Sequence, residues 1–98
     1  MDDITVNELK TRIEKGEKIN LVDVREEWEY EEKNLGAKLI PLGDLPARSN
    51  ELSDWKNEEI VIHCKSGGRS GRAKKFLEAQ GFSKVRNLLG GIDDYLSR

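Results

Sequence analysis

Apolar residues in this chain fall in short blocks between long polar stretches, and the spacing of those blocks sets the expected elements. Glu59-Ile60-Val61-Ile62-His63 is the clearest buried strand, and it runs straight into Cys64 and a glycine pair. Ile19 to Val24 reads as a second buried strand with Asp23 and Arg25 at its end. Lys38-Leu39-Ile40 is a short third, stopped by Pro41, and Val85 to Leu88 a short last one. Between them the apolar spacing turns helical. Thr5 with Glu8 three residues on is a capping-box pattern that opens a helix carrying Leu9 and Ile13 and closing near Gly16. Glu26 to Lys33 reads as a short acidic helix with Trp28 turned inward. Asp44 to Arg48, around Pro46, is loop or a single helical turn, and Leu52 and Trp55 anchor the segment after it. Ala73, Phe76, Leu77 and Gln80 mark the inward face of a helix stopped by Gly81, and Ile92, Tyr95 and Leu96 sit on a last helix after Gly90-Gly91. Strands alternating with helices through short connections predict an α/β domain. Its sheet is mostly parallel, of about five short strands, with helices on both faces. Ligands of such sheets bind beyond the carboxyl ends of the strands, where Cys64 lies.

The chain has 98 residues, near the commonest domain size, and no repeat, linker or low-complexity tract divides it, so 1–98 is read as one domain. Hydrophobic residues make up 36% and charged residues 37%, so the core is lean and the surface heavily charged. No apolar run approaches the roughly 18–20 residues of a membrane span. The acidic start Met1-Asp2-Asp3 lacks the pattern of a secretory signal. The expected setting is cytoplasmic, away from membranes. A single cysteine excludes an internal disulfide, and one histidine leaves little for a metal, so neither metal nor cofactor is expected.

Net charge is −2, but it is unevenly spread. Residues 1–63 hold 16 acids and 9 bases; residues 64–98 hold 3 acids and 8 bases. Lys65, Arg69, Arg72, Lys74 and Lys75 follow Cys64 with no acid among them. A pI of about 5.5 and the absence of interleaved aromatics argue against nucleic acid and for a local anion site.

The loop Cys64-Lys65-Ser66-Gly67-Gly68-Arg69-Ser70 carries the candidate chemistry. Its glycines let consecutive amides converge into a nest, and the following helix start aims roughly half a positive charge at the same point. Lys65 and Arg69 add formal charge. All of these favour thiolate over thiol at Cys64. Other polar residues have plainer readings. His63 alternates to the opposite face from Cys64 and reads as a packing histidine. Asp23 and Arg25 read as structural ties between loops, with direct substrate contact by Arg25 as the second reading. Arg48 either is solvated or reaches over the pocket. The run Glu26, Glu27, Glu29, Glu31, Glu32 is an exposed face that could also dock a basic partner, and Trp28 and Trp55 read as core.

The stretch Val61 to Ser70 resembles the active-site loop of single-domain rhodanese-like sulfurtransferases. Leu21-Val22-Asp23-Val24-Arg25, Gly36-Ala37 with Ile40-Pro41-Leu42, and Gly81-Phe82…Val85…Asn87-Leu88…Gly90-Gly91 resemble further segments of that family, in order. Asn34 stands where the family often has His, no Pro precedes Gly36-Ala37, and Tyr95 stands where Trp is common. The resemblance implies that Cys64 carries a persulfide during turnover, held by the amides of residues 65 to 70. It implies ping-pong transfer from a donor such as thiosulfate. With no second cysteine, discharge has to be intermolecular, to cyanide, a small thiol, thioredoxin or a partner protein. A monomer suffices for this. Two other readings stay open. Cysteine phosphatases and arsenate reductases place five residues between Cys and Arg, where this chain has four. Rhodanese-like domains also serve as non-catalytic binding modules, typically without the cysteine.

Overall fold

The strand that ends at Cys64 occupies the middle of the sheet. In the computed structural model, which describes residues 1–97, four parallel strands run in the order β2-β1-β3-β4. These are β1 (Leu21–Asp23), β2 (Lys38–Leu39), β3 (Glu59–His63) and β4 (Lys84–Asn87). The helices are α1 (Val6–Glu14), α2 (Glu27–Glu32), α3 (Leu45–Arg48), α4 (Gly68–Ala79) and α5 (Gly91–Ser97), with 3-10 turns at Leu42–Asp44 and Ser49–Trp55. A parallel strand needs a crossover to its neighbour, which is why every pair of strands is separated by helix.

The sheet has four strands rather than the five expected. What would be the fifth is a single parallel bridge, Ile4 to Leu88, made by the Ile4 amide on the Asn87 carbonyl (3.0 Å) and the Leu89 amide on the Ile4 carbonyl (2.9 Å). It goes no further because the next residue, Thr5, already turns the chain into α1 and accepts the Glu8 amide on its hydroxyl (3.1 Å).

Alternation along β3 divides the core in two. Ile60, Ile62 and Cys64 pack with Val22, Ile40, Leu52, Ala73, Leu77 and Val85 on the α4 side. Val61 packs with Ile4, Val6, Leu9, Leu21 and Leu88 on the α1 side, where Tyr95 joins them. Both sheet faces are therefore covered, as nearly continuous burial of β1, β3 and β4 requires.

Two side chains expected inside are not there: Trp28 is 63% exposed, and Gln80, expected on the inward face of α4, is also exposed. For Trp28 the reason lies in its own helix. The inner side of the six-residue α2 belongs to Glu29, which is buried, and to Tyr30, whose hydroxyl donates to the Ala37 carbonyl (2.8 Å). At about 100° per residue, Trp28 is rotated off that side. Trp55 does pack against the core.

Candidate active site

Cys64 is the first residue beyond β3, so the strand delivers its sulfur to the carboxyl edge of the sheet, at the start of α4. Gly67 makes the turn with φ +112°, a conformation L side chains rarely adopt, and caps the helix. Three of the loop's carbonyls are bonded away from the sulfur. That of Cys64 accepts the Ile92 amide (2.9 Å), and that of Lys65 accepts the Asp93 amide (3.1 Å). That of Gly67 accepts the Gly71 amide (3.0 Å) and the Asn87 side-chain amide (3.1 Å). With the carbonyls held away, donors are left facing the sulfur. Sγ accepts from the Gly67 amide (3.1 Å), the Ser70 amide (3.4 Å) and the Ser70 hydroxyl (3.3 Å).

Two opposed effects act on the thiol. Burial, with Cys64 only 1% exposed, pushes its pKa up; the Ser70 hydroxyl and the amides of Ser70, Gly67 and Ser66 pull it down. The donors prevail, and the group titrates below its ordinary value. The positive end of the twelve-residue α4 favours the anion in the same direction.

The two formal charges nearest the loop are largely committed elsewhere. Arg69 makes a two-pronged pair with Glu29 (2.6 and 2.9 Å), reaching back to α2. Lys65, 60% exposed by side chain, pairs with Asp93 across the mouth at 3.4 Å. The anion-holding capacity therefore rests on backbone amides, the Ser70 hydroxyl and the helix end more than on free cations.

Glu29 is the residue the sequence most misrepresents. It lies within an acidic run that reads as solvated, yet it is 8% exposed. Its carboxylate takes Arg69 on one side and the Glu26 amide (3.0 Å) on the other. The hydrogen bonds from Arg69 bring its pKa from 4.5 down to about 2 against the opposing effect of burial. A carboxylate whose folded pKa is depressed contributes stability above its unfolded value and loses it as pH falls through the folded one. Glu29→Gln is therefore expected to cost about 1–3 kcal/mol at neutral pH. The variant's deficit should shrink as pH falls from about 4.5 towards 2. Denaturant unfolding of both proteins across that range checks this; a deficit independent of pH would assign Glu29 a packing role only.

Asp23 and Arg25 form a buried pair. Arg25 Nη2 donates to Asp23 Oδ2 at 2.8 Å, and further bonds reach the carbonyls of Lys33 (2.9 Å) and Glu29 (3.4 Å). Arg25 thereby ties the end of β1 to the middle of α2 and to the residue that follows it, which holds Glu29 in place. Arg25 also borders a cavity of about 210 Å³ beside Lys65, with exposed Trp28, Ile92 and Asp93 on its walls. His63 is fully buried on the face opposite Cys64, with Nε2 unpartnered and 3.7 Å from Asp23. Burial lowers its pKa against the pull of Asp23, so it is neutral at pH 7. Arg48 ends α3 paired to Glu51 (2.8 Å) and bonded to the Leu39 carbonyl (3.3 Å), so its guanidinium is engaged beside β2.

Besides Glu29, two contributors to the site were not singled out from the sequence: Asn87 and the first amides of α5. No local signal marks them, because they come from segments 23 or more residues beyond Cys64. Among the described residues, no cluster of three or more His, Cys, Asp or Glu could hold a metal ion. No helix among them is long and apolar enough to cross a membrane.

A parallel α/β domain with a thiol held by amides at the carboxyl edge of its central strand defines a class of cysteine-loop domain. Within that class the chain belongs to the rhodanese-like domain family, whose profile matches residues 5–98. YrkF of Bacillus subtilis, by name a candidate sulfur carrier, is 39% identical over 97 residues, covering 98% of this chain but 51% of YrkF. The chain thus spans about half the length of that relative. YtwF of Bacillus subtilis, by name a candidate sulfurtransferase, is 38% identical over 91 residues, covering 92% of this chain and 85% of YtwF. The crystal structure of a rhodanese-like domain protein from Staphylococcus aureus superposes with a TM-score of 0.86 at 34% identity, covering 97% of this chain and 91% of that one.

Proposed function

We propose that this domain is a sulfurtransferase that carries sulfur as a persulfide on Cys64, with thiosulfate or a related sulfane-sulfur compound as donor. The observation that carries the reading is the ring of donors around Sγ, from Gly67 and Ser70, at the start of α4. The sulfurtransferase and sulfur-carrier names of the relatives agree with it.

In the first half-reaction the Cys64 thiolate attacks the outer sulfur of thiosulfate. The donor's S–S bond breaks, its electron pair leaves with sulfite, and a new S–S bond forms at Sγ. The added sulfur carries the negative charge, which the loop amides stabilise as they would an oxyanion. In the second half-reaction an acceptor thiolate attacks that outer sulfur, and the electron pair returns to Sγ. These 98 residues hold one cysteine, so the acceptor thiol comes from outside this domain. Exposed Trp28 beside the Lys65 cavity offers a protein acceptor an aromatic foothold near the loop. A four-residue spacing from Cys64 to Arg69 favours a single sulfur over a phosphoryl group, whose three oxygens need a wider ring of amides.

The test is intact-protein mass after incubation with thiosulfate. The expected result is a gain of one sulfur atom that a thiol reductant removes. No gain from thiosulfate or a small persulfide donor, together with turnover of an aryl phosphate, would overturn the reading in favour of phosphatase chemistry. No reaction with either would leave a binding module.

A further inference from the structure

The Ser70 hydroxyl has one proton and three acceptors around it. Asn87 Oδ1 lies at 2.5 Å, while the Gly67 carbonyl and Cys64 Sγ both lie at 3.3 Å. The orientation of the Asn87 amide is set independently, because Nδ2 donates to the Gly67 carbonyl at 3.1 Å. Turning the amide over would put two oxygens against each other there, so Oδ1 has to face Ser70. Asn87 is itself held by its backbone: its amide donates to Asp3 (3.0 Å) and its carbonyl accepts from Ile4 (3.0 Å). The closest acceptor of the Ser70 proton is thus a fixed oxygen that competes with the sulfur.

We propose that Asn87 is a positioning residue that holds the Ser70 hydroxyl proton whenever Sγ is uncharged and yields it whenever charge appears on Sγ. The inference rests on the persulfide reading for its role in turnover, but the hydroxyl's two positions exist without it. With Cys64 as thiol, the hydroxyl donates to Asn87 and turns a lone pair to the sulfur. With Cys64 as thiolate, it rotates to make a charge-assisted bond to Sγ. In the persulfide the charge sits on the outer sulfur, and the proton returns to Asn87. When an acceptor thiolate attacks that outer sulfur, the Sγ–S bond breaks and its electron pair develops on Sγ. The hydroxyl then swings back to stabilise the leaving thiolate. No atom is lost from the pair: one proton moves between two oriented acceptors by rotation about a single bond.

The test is the pH dependence of Cys64 alkylation by iodoacetamide in four proteins: the parent, Asn87→Ala, Ser70→Ala and the double variant. No sulfur donor is needed, so failure to load sulfur from thiosulfate would sink the function proposed above and leave this test intact. In the Ser70 background, loss of Asn87 frees the hydroxyl for the thiolate. The alkylation midpoint moves to lower pH, and alkylation below the midpoint becomes about threefold to tenfold faster. In the Ser70→Ala background, loss of Asn87 produces no such acceleration. A purely supporting role through the Gly67 carbonyl predicts the opposite sign, since a loosened loop gives weaker donors and a higher midpoint. Equal shifts in both backgrounds, or no shift or a rise in the Ser70 background, would overturn the proposal. The charged groups near the loop are the Arg69–Glu29, Lys65–Asp93 and Lys74–Asp3 pairs, with neutral His63 behind. All are common to the four proteins. Should the Ala variant fail to fold, Asn87→Leu fills the same space without polar atoms. The unmodified protein also reports, since its Asn87 side-chain carbonyl resonance should follow the Cys64 titration and that of Ser70→Ala should not.

Discussion

Cys64→Ser is expected to lower the proposed sulfur loading from thiosulfate by at least about a thousandfold, the scale on which loss of a nucleophile acts. A hydroxyl at this position keeps the donors but not the nucleophile, because serine has no adjacent base and is not anionic at neutral pH. The fold should survive. The substitution changes one buried atom in a ring of hydrogen-bond donors, so it costs about 1–2 kcal/mol. Intact mass and thermal unfolding read the two effects separately. Loading retained by Cys64→Ser would remove the covalent mechanism altogether.

Gly91→Ala has the second large effect, and it acts through backbone alone. Gly91 has φ +60°, and a Cβ there would stand 2.6 Å from the Cys64 carbonyl oxygen and closer still to that of Lys65. Neither oxygen can yield, because the amides of Ile92 and Asp93 bind them and so fix the loop that presents Sγ. The expected cost is about 3 kcal/mol or more, with the loop displaced and loading lost. Gly16→Ala is the control. It has φ +83°, but nothing lies within 4 Å of the added Cβ, so only the backbone conformation is strained and about 1–2 kcal/mol is expected. Denaturant midpoints of the two variants decide the matter. Equal stability would mean that α5 does not approach the loop as closely as described.

Features set by neighbours in sequence were legible without the structure. β3, Cys64, the glycine turn and α4 follow one another directly, so strand alternation, the Gly67 conformation and the helix start can be inferred from the order of residues. Thr5 with Glu8, and Gly81 after α4, likewise need only local backbone chemistry. Legibility failed where two local patterns were compatible with the residues. In α2, four glutamates after the Glu26 cap and one tryptophan suggest the acids outside and the aromatic inside. The structure reverses this for Glu29 and Trp28, because Arg69, 40 residues away, needs a carboxylate. Pairing them bidentately satisfies two charges at once, whereas Trp28 is left 63% exposed. The fifth strand failed for a related reason: Ile4 has a partner in Leu88, but the capping of α1 takes the chain away after one bridge.

The sequence by itself determined the α/β order, the place of the thiol at a strand end, and the backbone nest that can hold negative charge. These depend on residues within a few positions of each other. Only the tertiary structure decided how the nest is kept open and where its charges go. The Cys64 and Lys65 carbonyls are turned out by α5, Arg69 is neutralised from α2, and the Ser70 proton is contested by Asn87 of β4. Each of these partners is distant in sequence and brought close by packing the sheet between its helices. The physical reason is that a hydrogen bond is specified by position to a few tenths of an ångström, which periodicity along a chain cannot provide.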